Sequence, residues 1–144
     1  MSECFTKLMA AVCALLRIDD VGAVLRSGVL TVDGVGISLT PDEEDNAQTM
    51  LMQADCGMPE QGADAGVYAA LLQQNYAAFQ HRQPLFAVCP AGGIVAMARL
   101  VIHSTSAPAL ARLLARTACH AGAWRVASPA VRPSAHDHPF GPLA

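Results

Sequence analysis

Phe5, Leu8, Met9, Val12, Leu15 and Leu16 recur at intervals of three and four, the spacing that sets apolar side chains on one stripe of a helix. An amphipathic helix beginning after Ser2 is therefore predicted, with Lys7 and Arg17 away from the densest part of the stripe. From Asp19 the pattern shortens. Val29 to Val32 and Val35 to Leu39 flank Asp33-Gly34, a pair suited to the tight turn of a β-hairpin, and Gln48 to Ala54 reads as a third strand stopped by Gly57 and Pro59. The acidic run from Pro41 to Asp45 is expected as a solvated loop.

Asp64 is placed to cap a second helix on which Tyr68, Leu71, Leu72, Asn75 and Phe79 share a face, and Pro84 marks its end. Leu85 to Cys89 and Ile94 to Ile102 flank Pro90-Ala91-Gly92-Gly93 as a second hairpin. Ser106 and Pro108 suit the start of a third helix whose apolar side is Leu110, Leu113, Leu114, Thr117 and Ala121, with Gly122 as its stop. The expected fold is α+β, an antiparallel sheet of about five strands with three helices on one face, in the order α-β-β-β-α-β-β-α. Residues 1–126 are expected to form one domain, and the Pro/His-rich residues 127–144 a disordered tail.

At 144 residues one hydrophobic core is the natural expectation. Hydrophobic residues reach 53% while aromatics supply 5%, so the apolar surface is spread over Ala, Val, Leu and Met. Several strands fail to alternate: Met50, Leu51 and Met52 run together, as do Leu85 to Val88, and only Arg99 interrupts Ile94 to Leu100. Both sheet faces are then partly apolar, more than three modest helices cover, and the remainder is expected to meet another chain. Met50, Met52 and Met97 suit either a surface that accommodates varied apolar groups or an irregular core.

A formal charge of -3, with nine scattered Lys and Arg residues, gives no electrostatic support for nucleic-acid binding. No apolar run approaches the roughly 18 residues of a membrane span, so a cytoplasmic location without membrane insertion is expected. Cys4, Cys13, Cys56, Cys89 and Cys119 are odd in number and form no C-x-x-C pair, which reads as reduced thiols used mainly as small hydrophobes. A thiol enzyme would need Cys89 or Cys119 served by His103 or His120, yet no nucleophile elbow accompanies them, and no enzymatic activity is expected. His136-Asp137-His138 could hold a metal only adventitiously, and Gly28, Gly34 and Gly36 match no phosphate-binding spacing; no cofactor and no metal are expected.

The segment Tyr68-Ala69-Ala70-Leu71-Leu72-Gln73-Gln74-Asn75 resembles the Leu-Leu-x-x-Asn helix of class I type III secretion chaperones, the Tir chaperone family. Cys56-Gly57-Met58-Pro59 supplies the preceding strand end and Pro-containing loop, and Trp124 the close of the last helix; the likeness spans roughly residues 3 to 124. The resemblance implies a bacterial cytoplasmic homodimer that binds the N-terminal segment of a secreted effector and keeps it secretion-competent without ATP hydrolysis, with the secretion ATPase as a further candidate partner. An extended guest would add an edge strand and lay side chains into grooves beside the first helix. Leu8, Val12, Leu16, Leu30, Val32, Ile37, Leu39, Met50 and Met52 are the candidate effector-binding residues. The family's dimer contact centres on the second helix, which nominates Tyr68, Leu72, Tyr76 and Phe79. Asn75 is expected to satisfy a nearby backbone, and Arg99 to be a solvated strand-face charge. A small-ligand or regulatory α+β domain is the alternative, separable by an enclosed pocket as against open grooves.

Overall fold

The computed structural model describes residues 2–60, 64–127 and 131–132. Helix α1, Glu3–Leu15, starts where the Ser2 hydroxyl accepts the Phe5 N–H at 3.2 Å, and it buries Phe5, Leu8, Met9, Val12 and Cys13. A short second helix follows, α2, Val21–Ser27, which hydropathy does not announce because seven residues carry barely two turns of pattern. Asp20 caps it by accepting from Ala23 N at 2.9 Å, and left-handed Gly28 closes it. The described helices therefore number four rather than three.

Strands β1, Val29–Val32, and β2, Val35–Pro41, meet at Asp33 and Gly34, both with positive φ as this tight turn requires. The acidic segment is not plain loop: Glu43–Asp45 forms a 3-10 turn with Asp42 accepting from Glu44 N, and Asp45 accepts from Gln48 N. Strand β3, Thr49–Pro59, outruns its expected end. Gly57, at φ 99, absorbs a register shift after Asp55 and lets the strand bend on instead of stopping. Helix α3 is Asp64–Gln80, strands β4 and β5 are Leu85–Val88 and Ile94–Val101, and helix α4 is Ala107–Ala127. Gly122 lies inside α4, where an internal glycine weakens a helix without ending it. Of the expected tail, Ala127 ends α4 and Val131–Arg132 forms a two-residue strand, β6, on Met58–Pro59 of β3. Residues 133–144, including His136-Asp137-His138, lie outside the described residues.

The main sheet is antiparallel in the order β1-β2-β3-β5-β4. Its register aligns Leu30, Ile37, Ala54, Ala96 and Phe86 in one row facing the helices, and Val29, Ser38, Gln53, Met97 and Leu85 in the next row on the opposite face. Ala54 and Ala96 at the middle of the first row are small enough for α4 to settle there through Leu110, Leu114, Ala118 and Ala121, all buried. At the β4 side Phe86 meets the rings of Trp124 and His120 at 5.4 and 5.3 Å. Arg125 Nη2 donates to the Asp55 carbonyl, stitching the end of α4 to the bulged part of β3.

Candidate functional site

The nine residues expected to line a guest groove lie in or against the core of the single chain. Leu8, Val12, Leu30, Val32, Ile37, Leu39, Met50 and Met52 are at most 9% exposed, and half-buried Leu16 packs against the same cluster. The reason is geometric: α1 and α4 lie over the helical face of the sheet, so its alternate residues form the core of the single chain.

Exposed apolar surface gathers on α3 instead. Val67, Leu71 and Ala78 turn inward, while Leu72, Tyr76 and Phe79, at intervals of four and three, are 70%, 73% and 75% exposed. Three of the four nominated dimer residues thus share one outward stripe. Tyr68 departs from them, half-buried against the core.

Between stripe and sheet, Asn75 faces the outer edge of β4. Its Nδ2 donates to the Phe86 carbonyl at 2.9 Å and its Oδ1 accepts the Phe86 N–H at 2.7 Å, so the amide stands in for a neighbouring strand. At the far edge the Ser27 hydroxyl accepts the Val29 N–H at 3.1 Å, while its single proton lies between the Ala23 carbonyl at 2.9 Å and the Val29 carbonyl at 3.2 Å. Alternation along each strand leaves Thr31 and Val88 as the next residues pointing their backbone groups outward. Val88 is also 48% exposed.

Phe79, Gln80, Arg82 and Gln83 overhang Leu51, Leu85, Met97 and Arg99, and together they bound a cleft of about 820 Å³ open to solvent. Arg99 is not a free strand-face charge: its Nη1 pairs with Asp42 Oδ2 at 2.5 Å and donates to Thr49 Oγ1 at 3.2 Å. Leu51, Leu85 and Met97 were legible only as an unalternating apolar run. Their convergence needs the register, since they belong to three different strands.

The thiols divide by position. Cys13, Cys56 and Cys89 are buried, whereas Cys4 and Cys119 are exposed. Burial pushes the Cys56 thiol up to about 12 and raises that of Cys13, so neither is a nucleophile near neutrality. Among the described residues no three His, Cys, Asp or Glu side chains converge as metal ligands, and no helix is long and apolar enough to cross a membrane.

Residues 23–125 match the family model of the Tir chaperone protein (CesT) family. The chain belongs to that family. The matched span runs from α2 to the end of α4 and takes in the α3 stripe, Asn75 and the cleft. Two solved structures share the fold of this Tir-family chain. One is a chain of the HopA1–SchA chaperone–effector complex, at TM-score 0.65 and 17% identity, covering 85% of this chain and 94% of the other. A second is a chain of the ExsC–ExsE complex, at TM-score 0.58 and 18% identity, covering 83% and 92%. A search among curated proteins returns no match.

Proposed function

We propose that this Tir-family chain is a type III secretion chaperone: a homodimer that binds the N-terminal segment of a secreted effector and keeps it soluble and secretion-competent, without enzymatic chemistry. The observation that carries the reading is the α3 stripe of Leu72, Tyr76 and Phe79 beside an open apolar cleft, on a chain of this family. Large aromatic and aliphatic groups so exposed are uncommon on a solitary soluble chain, and a second copy seated on α3 would remove them from water. Two-fold seating sets stripe against stripe. The sheet edges and the exposed Leu15 at the end of α1 then remain for an extended guest, whose backbone would pair at Thr31 or Val88 and whose apolar side chains would supply the rest. A chain of the HopA1–SchA chaperone–effector complex shares the fold, which agrees with this use of it. The cleft is open to solvent, which favours the chaperone over the small-ligand domain.

Coexpression tests it. An effector segment of roughly 50–100 residues, insoluble alone, should become soluble and protease-resistant only beside this chain, as folding coupled to binding requires. A segment equally soluble and equally digested with and without the chain would remove the reading.

A further inference from the structure

Charge along the chain is divided, a feature that the mild total conceals. Residues 1–64 hold eleven Asp and Glu against three Lys and Arg, whereas residues 65–136 hold six Arg and neither Asp nor Glu. Folding spends part of that positive charge: Arg99 pairs with Asp42, and Arg125 with Asp55. Arg82, Arg112 and Arg116 form no ion pair among the described residues.

On α4, Arg112, Arg116 and His120 follow one another at intervals of four, so the like charges of the two arginines, with the His120 imidazole, share one side of the helix at some cost to it. Across from Arg116 and His120 stand His81 and Arg82, in the turn that closes α3. That turn is held by Gln83 N–H bonding the Ala78 carbonyl at 2.9 Å, with Arg82 at φ 53, so the backbone carrying Arg82 is fixed. His120 is held too, its ring stacked on Phe86. His81, Arg82, Arg116 and His120, with Gln83, Pro84, Leu113 and Thr117, line a recess of about 240 Å³ that contains no carboxylate.

We infer that this recess between the α3 closing turn and α4 is a binding site for the carboxylates of an acidic peptide segment of a partner protein. Two guanidiniums offer the planar forks of N–H donors that carboxylates accept, with two imidazoles beside them as further donors. The recess is too small for a nucleotide-sized ligand. An extended polyanion such as nucleic acid needs a long positive track, whereas this recess holds only Arg82 and Arg116 beside two imidazoles, a length that suits a short acidic segment. The recess shares Arg82 and Gln83 with the cleft beside the α3 stripe but contains none of Leu72, Tyr76 and Phe79, and the proposal does not depend on the chaperone reading.

The probe is fluorescein-labelled hexaglutamate, titrated with the full chain at about 50 mM salt, where surface charge is weakly screened. Saturable binding is expected, weakened at least about tenfold in the Arg82→Gln, Arg116→Gln double variant and less than about twofold by Arg17→Gln, which follows α1 and is not part of the recess lining. Labelled hexaglutamine should not bind. Equal binding of the two peptides, or an undiminished hexaglutamate affinity in the double variant, overturns the site. So does displacement of hexaglutamate by inorganic phosphate at about 1 mM, which would make the recess a small-anion site. Should the double variant fold poorly, the parent decides: hexaglutamate should shift the backbone amide resonances of residues 81, 82, 116, 117 and 120, and shifts centred on residues 72–79 instead would overturn the assignment.

Discussion

Asn75 is the side chain whose removal the structure prices most directly. It supplies both backbone partners of Phe86, donating to the carbonyl at 2.9 Å and accepting from the N–H at 2.7 Å, at an edge beyond which no strand pairs among the described residues. Asn75→Ala removes two hydrogen bonds, each about 0.5–1.5 kcal/mol net, and the half-buried position limits how well water replaces them; the expected loss is about 2 kcal/mol. For a chain of this length that corresponds to a fall in Tm of roughly 6–10 °C. Asn75→Asp separates this from mere loss of packing. It keeps the acceptor for Phe86 N–H but sets a carboxylate oxygen against the Phe86 carbonyl, so at pH 7 it should be no more stable than the Ala variant. Protonation restores a donor to that carbonyl, which raises the folded-state pKa of the new carboxyl above its unfolded value near 3.9. Its contribution is then fully present below about pH 3.9 and lost as pH rises through the folded value, so the deficit against the parent should shrink on acidification. Chemical denaturation at pH 7 and near pH 3.5 measures both effects. An Ala variant within about 0.5 kcal/mol of the parent, or an Asp variant whose deficit ignores pH, would refute the edge-pairing account.

Four further outcomes are expected. Tyr76→Asp or Phe79→Asp should convert a dimer to a monomer by light scattering with little change in subunit folding, because both side chains are more than 70% exposed; a persistent dimer would place the contact elsewhere. Ile37→Asp, at 0% exposure, should fail to fold, costing upwards of about 4 kcal/mol, and a folded variant that merely lost its guest would restore Ile37 to a groove. Thiol titration of the native chain should count two reactive cysteines, Cys4 and Cys119, with the buried three appearing only on denaturation. Because burial raises the Cys56 thiol to about 12 in the folded chain, its contribution is intact below the ordinary value of 9.0 and lost as pH climbs between the two. The slope, about 1.4 kcal/mol per pH unit, should be absent from Cys56→Ala.

The two hairpins, the three longer helices and the antiparallel α+β class were legible because Asp33-Gly34, Gly92-Gly93 and the i, i+3, i+4 stripes are local signals. What escaped the sequence was which face each apolar residue takes once helices are laid on the sheet. Leu30 and Ile37 were assigned to a surface groove, yet they share a row with Ala54 and Ala96, and those small residues draw α4 down over them. No local pattern encodes that approach. The α3 stripe was readable from spacing alone, since Leu72, Tyr76 and Phe79 need no partner strand to define their side. Gly57 and Gly122 misled in the same way: each was read as a stop, but a bulge accommodates the first and a long packed helix carries the second. The recess of Arg82 and Arg116 escaped because total charge was weighed, whereas its distribution along the chain held the signal.

The central strand is completed late. Met50 and Met52 find their β2 partners, Pro41 and Leu39, a short way back in the chain, but their partners on the other flank, Leu100 and Ala98, are synthesised about fifty residues afterwards. A nascent chain halted within α3 would therefore carry β3 with one flank bare and its methionines uncovered, since α4 has not yet emerged. Translation order thus makes the first three strands a waiting template, and the protein that protects others passes through an interval of needing shelter itself.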